Sequence, residues 1–193
     1  MSSKQDLLAC LKIEDRLKRQ VCIASKITQA LEPLGITPVV VGGLAVEFYT
    51  LGQYSTMDID FVGATTDEMK QTLAEMGFER AGRYWRIPDT DIMIEFPSEI
   101  LAGSINKIEP VEYEDQRVYF IGIDDLILNR CQEAKHWKDL NSEEWAKNLM
   151  VAYYSDVDWP YCHKTANELG CLDKFEEIQH RARSIVKKIN TDK

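Results

Sequence analysis

Three acids set among apolar neighbours are the residues best suited to chemistry. Asp58 and Asp60 lie in Met57-Asp58-Ile59-Asp60-Phe61-Val62, and Glu95 lies in Ile92-Met93-Ile94-Glu95-Phe96. Strand alternation puts Met57, Ile59 and Phe61 on one face and both aspartates on the other. Carboxylates at that spacing repel by roughly a few kcal/mol at intermediate dielectric, which a packed face avoids unless a cation stands between them. Hard oxygen ligands suit Mg²⁺ or Mn²⁺, ions that keep waters and accept phosphate oxygens. The competing reading is a solvated edge strand with surface charges. Glu95 would be a third carboxylate at a metal pair, a base for an incoming hydroxyl, or an ion-pair partner of Arg83 or Arg86. Asp91 shares its strand face and is its rival.

Gly42-Gly43 joins a strand-like run to a helix start. Glycines at such a junction let backbone N–H groups approach a phosphate, and the helix N-terminus favours negative charge. The same pair also serves as an ordinary turn.

The elements that must position these residues follow from periodicity. Leu7, Leu8, Leu11, Ile13, Leu17, Val21, Ala24, Ile27 and Leu31 predict one helix over about 4–32, stopped by Pro33 and Gly35. Pro38-Val39-Val40-Val41 reads as a buried strand, and Leu44–Tyr49 as a helix. Thr66-Asp67-Glu68 caps a helix to about Met76. Residues 78–96 read as two or three antiparallel strands turning at Gly82 and Pro88-Asp89, and 108–121 as a further pair around Glu114-Asp115. From Ile123 the character is helical: Asp124-Asp125 begins a helix to about Trp137, Ser142-Glu143-Glu144 begins another, and two more fill 160–190. The expected organisation is an α/β core over 1–122, including the N-terminal helix, and a helical part over 123–193 packed on it.

With 45% hydrophobic and 28% charged residues, the chain reads as globular. A net charge of −9 excludes a broad nonspecific nucleic-acid surface but leaves room for a local basic pocket. The five cysteines (Cys10, Cys22, Cys131, Cys162, Cys171) include no CxxC pair. No secretory signal and no membrane-length apolar run is evident. The expectation is a cytoplasmic protein with reduced thiols and no membrane contact. Cys162, His163 and Cys171 could form a structural zinc site, against the alternative of small buried thiols and helix-surface histidines.

Taken together, Val39-Val40-Val41-Gly42-Gly43, Thr56-Met57-Asp58-Ile59-Asp60-Phe61-Val62 and Ile94-Glu95-Phe96 resemble the signature of the nucleotidyltransferase superfamily, whose type is DNA polymerase beta. Gly82-Arg83-Tyr84-Trp85, Glu95-Phe96-Pro97, Asp124-Asp125-Leu126-Ile127 and His136-Trp137-Lys138-Asp139 extend the resemblance to small AbiEii-toxin-like nucleotidyltransferases, over roughly residues 38–140. The fold implied is a mixed α/β (α+β) sheet flanked by helices, with a helical C-terminal part.

By this resemblance, Asp58, Asp60 and Glu95 are the metal-binding and catalytic residues, holding Mg²⁺ or Mn²⁺ against a nucleoside triphosphate. Gly42, Gly43, Ser55 and Thr56 would meet the phosphates. Arg130 and Lys135 would be secondary nucleotide contacts, unless they simply line a solvated helix face. The activity implied is transfer of a nucleoside monophosphate to an acceptor hydroxyl on an RNA end, a protein or a small molecule, in a toxin–antitoxin or defence setting with a partner protein. Two other readings are a catalytically silent member that binds proteins, and a Mg²⁺-dependent phosphohydrolase using the same carboxylates.

Overall fold

Three consecutive valines, β-branched and apolar, form the short interior strand β1 (Val39–Val41) of a seven-stranded mixed sheet. The computed structural model describes residues 4–191, which divide into two compact units between Ile121 and Gly122.

In the first unit, β1 is followed by α3 (Gly42–Tyr49), β2 (Asp58–Val62), α4 (Asp67–Glu75), β3 (Glu79–Ala81), β4 (Tyr84–Arg86), β5 (Met93–Ser98), β6 (Glu109–Tyr113) and β7 (Gln116–Phe120). The spatial order is β3-β4-β5-β2-β1-β7-β6. Pairs β1–β7 and β2–β5 are parallel and the others antiparallel. The hairpins expected over 78–96 and 108–121 are present. So is the Thr66 cap, whose hydroxyl accepts from the Met69 amide at 3.2 Å. The fold is thus a mixed α/β one, as read from the sequence.

The N-terminal helix departs from expectation. It is split into α1 (Lys4–Cys10) and α2 (Arg16–Leu31). Asp15 is the reason: its backbone is extended, and its carboxylate accepts from the Lys18 amide at 2.9 Å. An aspartate gains more as an N-cap than in a helix interior. The split lets α1 fold back on α2 and joins Cys10 to Cys22 in a disulfide, with Cα atoms 5.7 Å apart. This corrects the expectation of reduced thiols for that pair. Its spacing of twelve residues carries no motif; the pairing depends on the helix break.

The core of this unit lies under one sheet face. Ile59, Ile94 and Trp85 are cross-strand neighbours there, and Phe61 joins them. The helix α2 contributes Ile23, Ala24, Ile27 and Leu31, all fully buried.

The second unit contains α5 (Ile123–His136), α6 (Leu140–Ala152), α7 (Trp159–Glu168) and α8 (Leu172–Thr191). The second of these starts before Ser142, because Asp139 caps it, accepting from the Asn141 amide at 2.9 Å. Cys131, Cys162 and Cys171 are buried free thiols, and burial pushes the Cys131 and Cys171 thiols up. Among the described residues, no three His, Cys, Asp or Glu side chains are grouped to hold a metal, so the Cys162–His163–Cys171 zinc site does not form. No helix among them is long and apolar enough to cross a membrane.

Candidate active site

The sheet register brings the predicted acids together. Asp60 faces Val41 of β1 on one side and Glu95 of β5 on the other, and Glu95 in turn faces Tyr84 of β4. Asp58 faces Met93, two residues before Glu95. Directly paired residues point to the same side of a sheet, so Asp58, Asp60 and Glu95 share one face and Ile59 and Ile94 the other. Both aspartates are half-buried, and Glu95 is buried at 8% exposure. Asp91 stands apart: β5 begins only at Met93, which leaves Asp91 exposed in the preceding turn. It is not part of the ladder that holds the other three.

Gly42 follows Val41 and so lies beside Asp60. A Cβ on Gly42 would stand 2.2 Å from the Asp60 Oδ2, and its φ of +63° is one that side chains disfavour. Gly43 is constrained by a different neighbour: a Cβ there would lie 2.7 Å from the Thr56 Oγ1. The pair therefore lets the helix start close against the carboxylate strand. No side chain caps that helix start.

Behind the aspartates runs a buried polar relay. Glu47, 1% exposed on α3, accepts from the Arg16 guanidinium at 2.7 Å and from the Thr56 amide at 3.1 Å. The Thr56 hydroxyl donates to the Asp58 Oδ1 at 2.8 Å. Gln20 of α2 donates to the Thr56 carbonyl at 3.2 Å, and Arg16 also donates to the Ser55 hydroxyl. A buried carboxylate is retained where it is paired and hydrogen-bonded. Glu47 meets that condition while fixing the loop that carries Asp58.

At the other side of the row, the Arg83 Nε lies 3.3 Å from the Glu95 Oε1. The Tyr84 hydroxyl and the Glu95 carboxylate beside Arg83, with a smaller contribution from Asp60, push its pKa further up. The Arg83 side chain is 70% exposed, against 11% for that of Glu95. A largely exposed cation thus lies against a buried acid.

No family model matches the chain, and no curated protein matches it. Among solved structures, it is similar to the antibiotic-resistance factor ANT(2'')-Ia, at 18% identity and a TM-score of 0.44, over 90% of this chain and 96% of that one. It is also similar to an antigenic nucleotidyltransferase-like protein from Paracoccidioides brasiliensis, at 13% identity and a TM-score of 0.48, over 88% of this chain and 94% of that one.

Of the residues singled out in the sequence, Gly42, Gly43, Thr56, Asp58, Asp60 and Glu95 converge, and Ser55 adjoins them. Ser55 and Thr56 have hydroxyls engaged with Arg16 and Asp58 respectively. Arg130 and Lys135 belong to the helical unit. There Arg130 pairs with Glu133 at 2.8 Å and Lys135 with Asp173. Sequence reading missed Arg16, Gln20 and Glu47. An acid inside the apolar Gly42–Tyr49 helix was a usable signal for Glu47, by the reasoning that singled out Glu95.

The donor set can be tested against a divalent cation. Three carboxylates on one face are hard oxygen donors, yet among the described residues no three acids close into a cage. Magnesium needs no such cage: it keeps waters and takes one or two carboxylates plus substrate phosphates. Asp58 and Asp60 beside the open helix start fit that requirement.

Proposed function

We propose that this chain is a Mg²⁺-dependent nucleotidyltransferase, moving a nucleoside monophosphate from a nucleoside triphosphate to an acceptor hydroxyl. The observation that carries this reading is the row of Asp58, Asp60 and Glu95 on one sheet face, with Gly42 shaped to admit the Asp60 carboxylate. Asp58 and Asp60 would hold the ion, which when bound supplies charge neutralisation for the triphosphate and its leaving pyrophosphate. The Gly42-Gly43 backbone and the uncapped start of its helix offer N–H groups to phosphate oxygens. Thr56 keeps the Asp58 carboxylate in one orientation, and Glu47 and Gln20 keep Thr56 in place. Glu95, at the end of the row away from Gly42, would also meet the cation and would take the proton of the incoming hydroxyl. The attacking oxygen forms the new bond to the α-phosphorus as the bond to pyrophosphate breaks. Positioning and electrostatics account for most of the rate in such a site.

Incubation with each α-labelled nucleoside triphosphate and Mg²⁺ tests the reading. Label transfer with stoichiometric pyrophosphate release is the expected result. Release of label as free nucleotide would instead indicate a hydrolase, and no turnover with any triphosphate would remove the catalytic reading.

A further inference from the structure

Arg83 has a second neighbourhood. Besides touching Glu95, it lines a recess of about 280 Å³ with Lys70, Arg80, Thr65, Trp85 and Phe96. Three cations around one small recess is an unusual concentration in a chain of net charge −9.

Arg83 is held by Glu95 and donates to the Tyr84 hydroxyl, whereas the partners of the other two cations are weak. Lys70 pairs with Asp67 at 2.7 Å, an exposed i,i+3 contact of the kind that contributes little. Thr65 donates to Glu99 at the rim. Arg80 makes no ion pair among the described residues. Its Nε donates to the Gly82 carbonyl at 3.2 Å and its guanidinium lies over the Trp85 ring, 5.9 Å from the centroid. A carbonyl and an indole face orient a guanidinium without cancelling its charge. Trp85 and Phe96 supply an apolar wall, suited to the carbon skeleton of a small ligand.

We propose that this recess, on the sheet face opposite the Asp58–Asp60–Glu95 row, is an anion subsite that takes a phosphate monoester, with Arg83 in the turn between β3 and β4 shared between it and Glu95. Binding there does not require the nucleotidyltransferase chemistry. Two guanidinium groups and an ammonium match a phosphate dianion, which accepts several charge-assisted hydrogen bonds at once. Sharing Arg83 also couples the two sites. A divalent cation that neutralises Glu95 loosens its hold on Arg83, so metal and phosphate monoester favour each other's binding, and by linkage the factor is reciprocal.

The test is calorimetric titration of the full chain with two probes, ribose 5-phosphate and a 5′-phosphorylated trinucleotide, each against its dephosphorylated counterpart. Binding of the phosphorylated form of either probe, lost on dephosphorylation, is expected; which probe binds tells a small molecule from a strand end. Arg80→Gln and Lys70→Gln should each weaken that binding by about tenfold. Glu95→Gln should instead tighten it several-fold while weakening Mn²⁺ binding, a gain that a misfolded variant cannot imitate. Equal affinity in the Arg80→Gln/Lys70→Gln double variant and wild type would overturn the subsite, as would no preference for either phosphorylated form. Weaker binding in Glu95→Gln would overturn the sharing of Arg83. Asp60→Asn separates the two readings: it should abolish Mn²⁺-nucleotide binding and keep the phosphate monoester. If Mn²⁺-nucleotide binding survives in Asp60→Asn, the nucleotidyltransferase reading fails alone.

Discussion

Glu47 and Glu95 in the sheet unit and Asp124 and Asp125 in the helical unit are all buried carboxylates, but their surroundings differ in kind. In the helical unit the acids sit in the first turn of α5, where the helix dipole favours them. Asp124 accepts from the Asp158 amide at 3.0 Å, and Asp125 from the Tyr161 hydroxyl at 2.6 Å. Those bonds tie α5 to the start of α7 and account for the acids structurally. In the sheet unit, Glu47 is paired to a third-exposed arginine and supports the loop before two half-buried aspartates. Glu95 is met by a guanidinium that is mostly in solvent. Burial of an acid is thus a weak sign of function by itself. It becomes informative where the partner is a displaceable cation and further carboxylates line the same face.

The largest expected effect that could break this contrast comes from the aspartates. Asp58→Ala or Asp60→Ala should lower nucleotidyl transfer by about 10²-fold or more, since these residues would hold the cation that offsets the charge of the leaving pyrophosphate. Thermal stability should stay near wild type or rise, because two half-buried like charges no longer repel. Unchanged Mn²⁺-nucleotide affinity in both variants would reduce the sheet-unit acids to the same structural status as those of the helical unit.

Next in size are two substitutions behind the site. Glu47→Ala leaves Arg16 and the Thr56 amide without their acceptor, and should cost about 2–4 kcal/mol in denaturant unfolding. Glu47→Gln keeps a hydrogen-bond acceptor and should lose less, which a comparison of midpoints would show. Gly42→Ala places a methyl on the Asp60 carboxylate at a positive φ, and should cost about 1–3 kcal/mol together with most of the Mn²⁺ affinity. A Gly42→Ala protein with wild-type metal affinity would show that Asp60 does not need its place beside Gly42.

Much of this was legible in the sequence. Alternation alone put Asp58 and Asp60 opposite Ile59 and Phe61, and the residues flanking Gly82 and Glu114-Asp115 gave both hairpins. What was not legible depends on contacts far apart along the chain. The Arg16–Glu47 pair spans 31 residues and the Gln20–Thr56 bond 36, and no local pattern announces either. The helix break at Asp15 was hidden because Ile13 and Leu17 keep the helical spacing across it. Asp91 was misplaced because alternation does not say where a strand begins.

A smaller effect sharpens the contrast from the helical side. Asp125→Asn should remove part of the Tyr161 bond at a cost of about 1–2 kcal/mol, with Mn²⁺ affinity unaltered. A fall in metal affinity as large as that of Asp60→Ala would erase the distinction between structural and functional acids.

The smallest effect is a pH dependence. Burial pushes the Glu143 carboxyl up, but hydrogen bonds from Lys174 and Arg181 outweigh it and hold the group below its ordinary value of 4.5. A carboxyl depressed in the folded state binds its proton less readily there than in the unfolded chain. Its contribution to stability is therefore present above pH 4.5 and is lost as pH falls through the lower folded value. For a partly screened network this contribution is at most about 1 kcal/mol. Thermal unfolding followed from pH 6 to pH 3 should show a shallower acid decline in Glu143→Gln than in wild type. Equal declines would mean that the Lys174 and Arg181 contacts carry no net charge stabilisation. Glu143 would then act through hydrogen bonding alone, as Asp124 and Asp125 do.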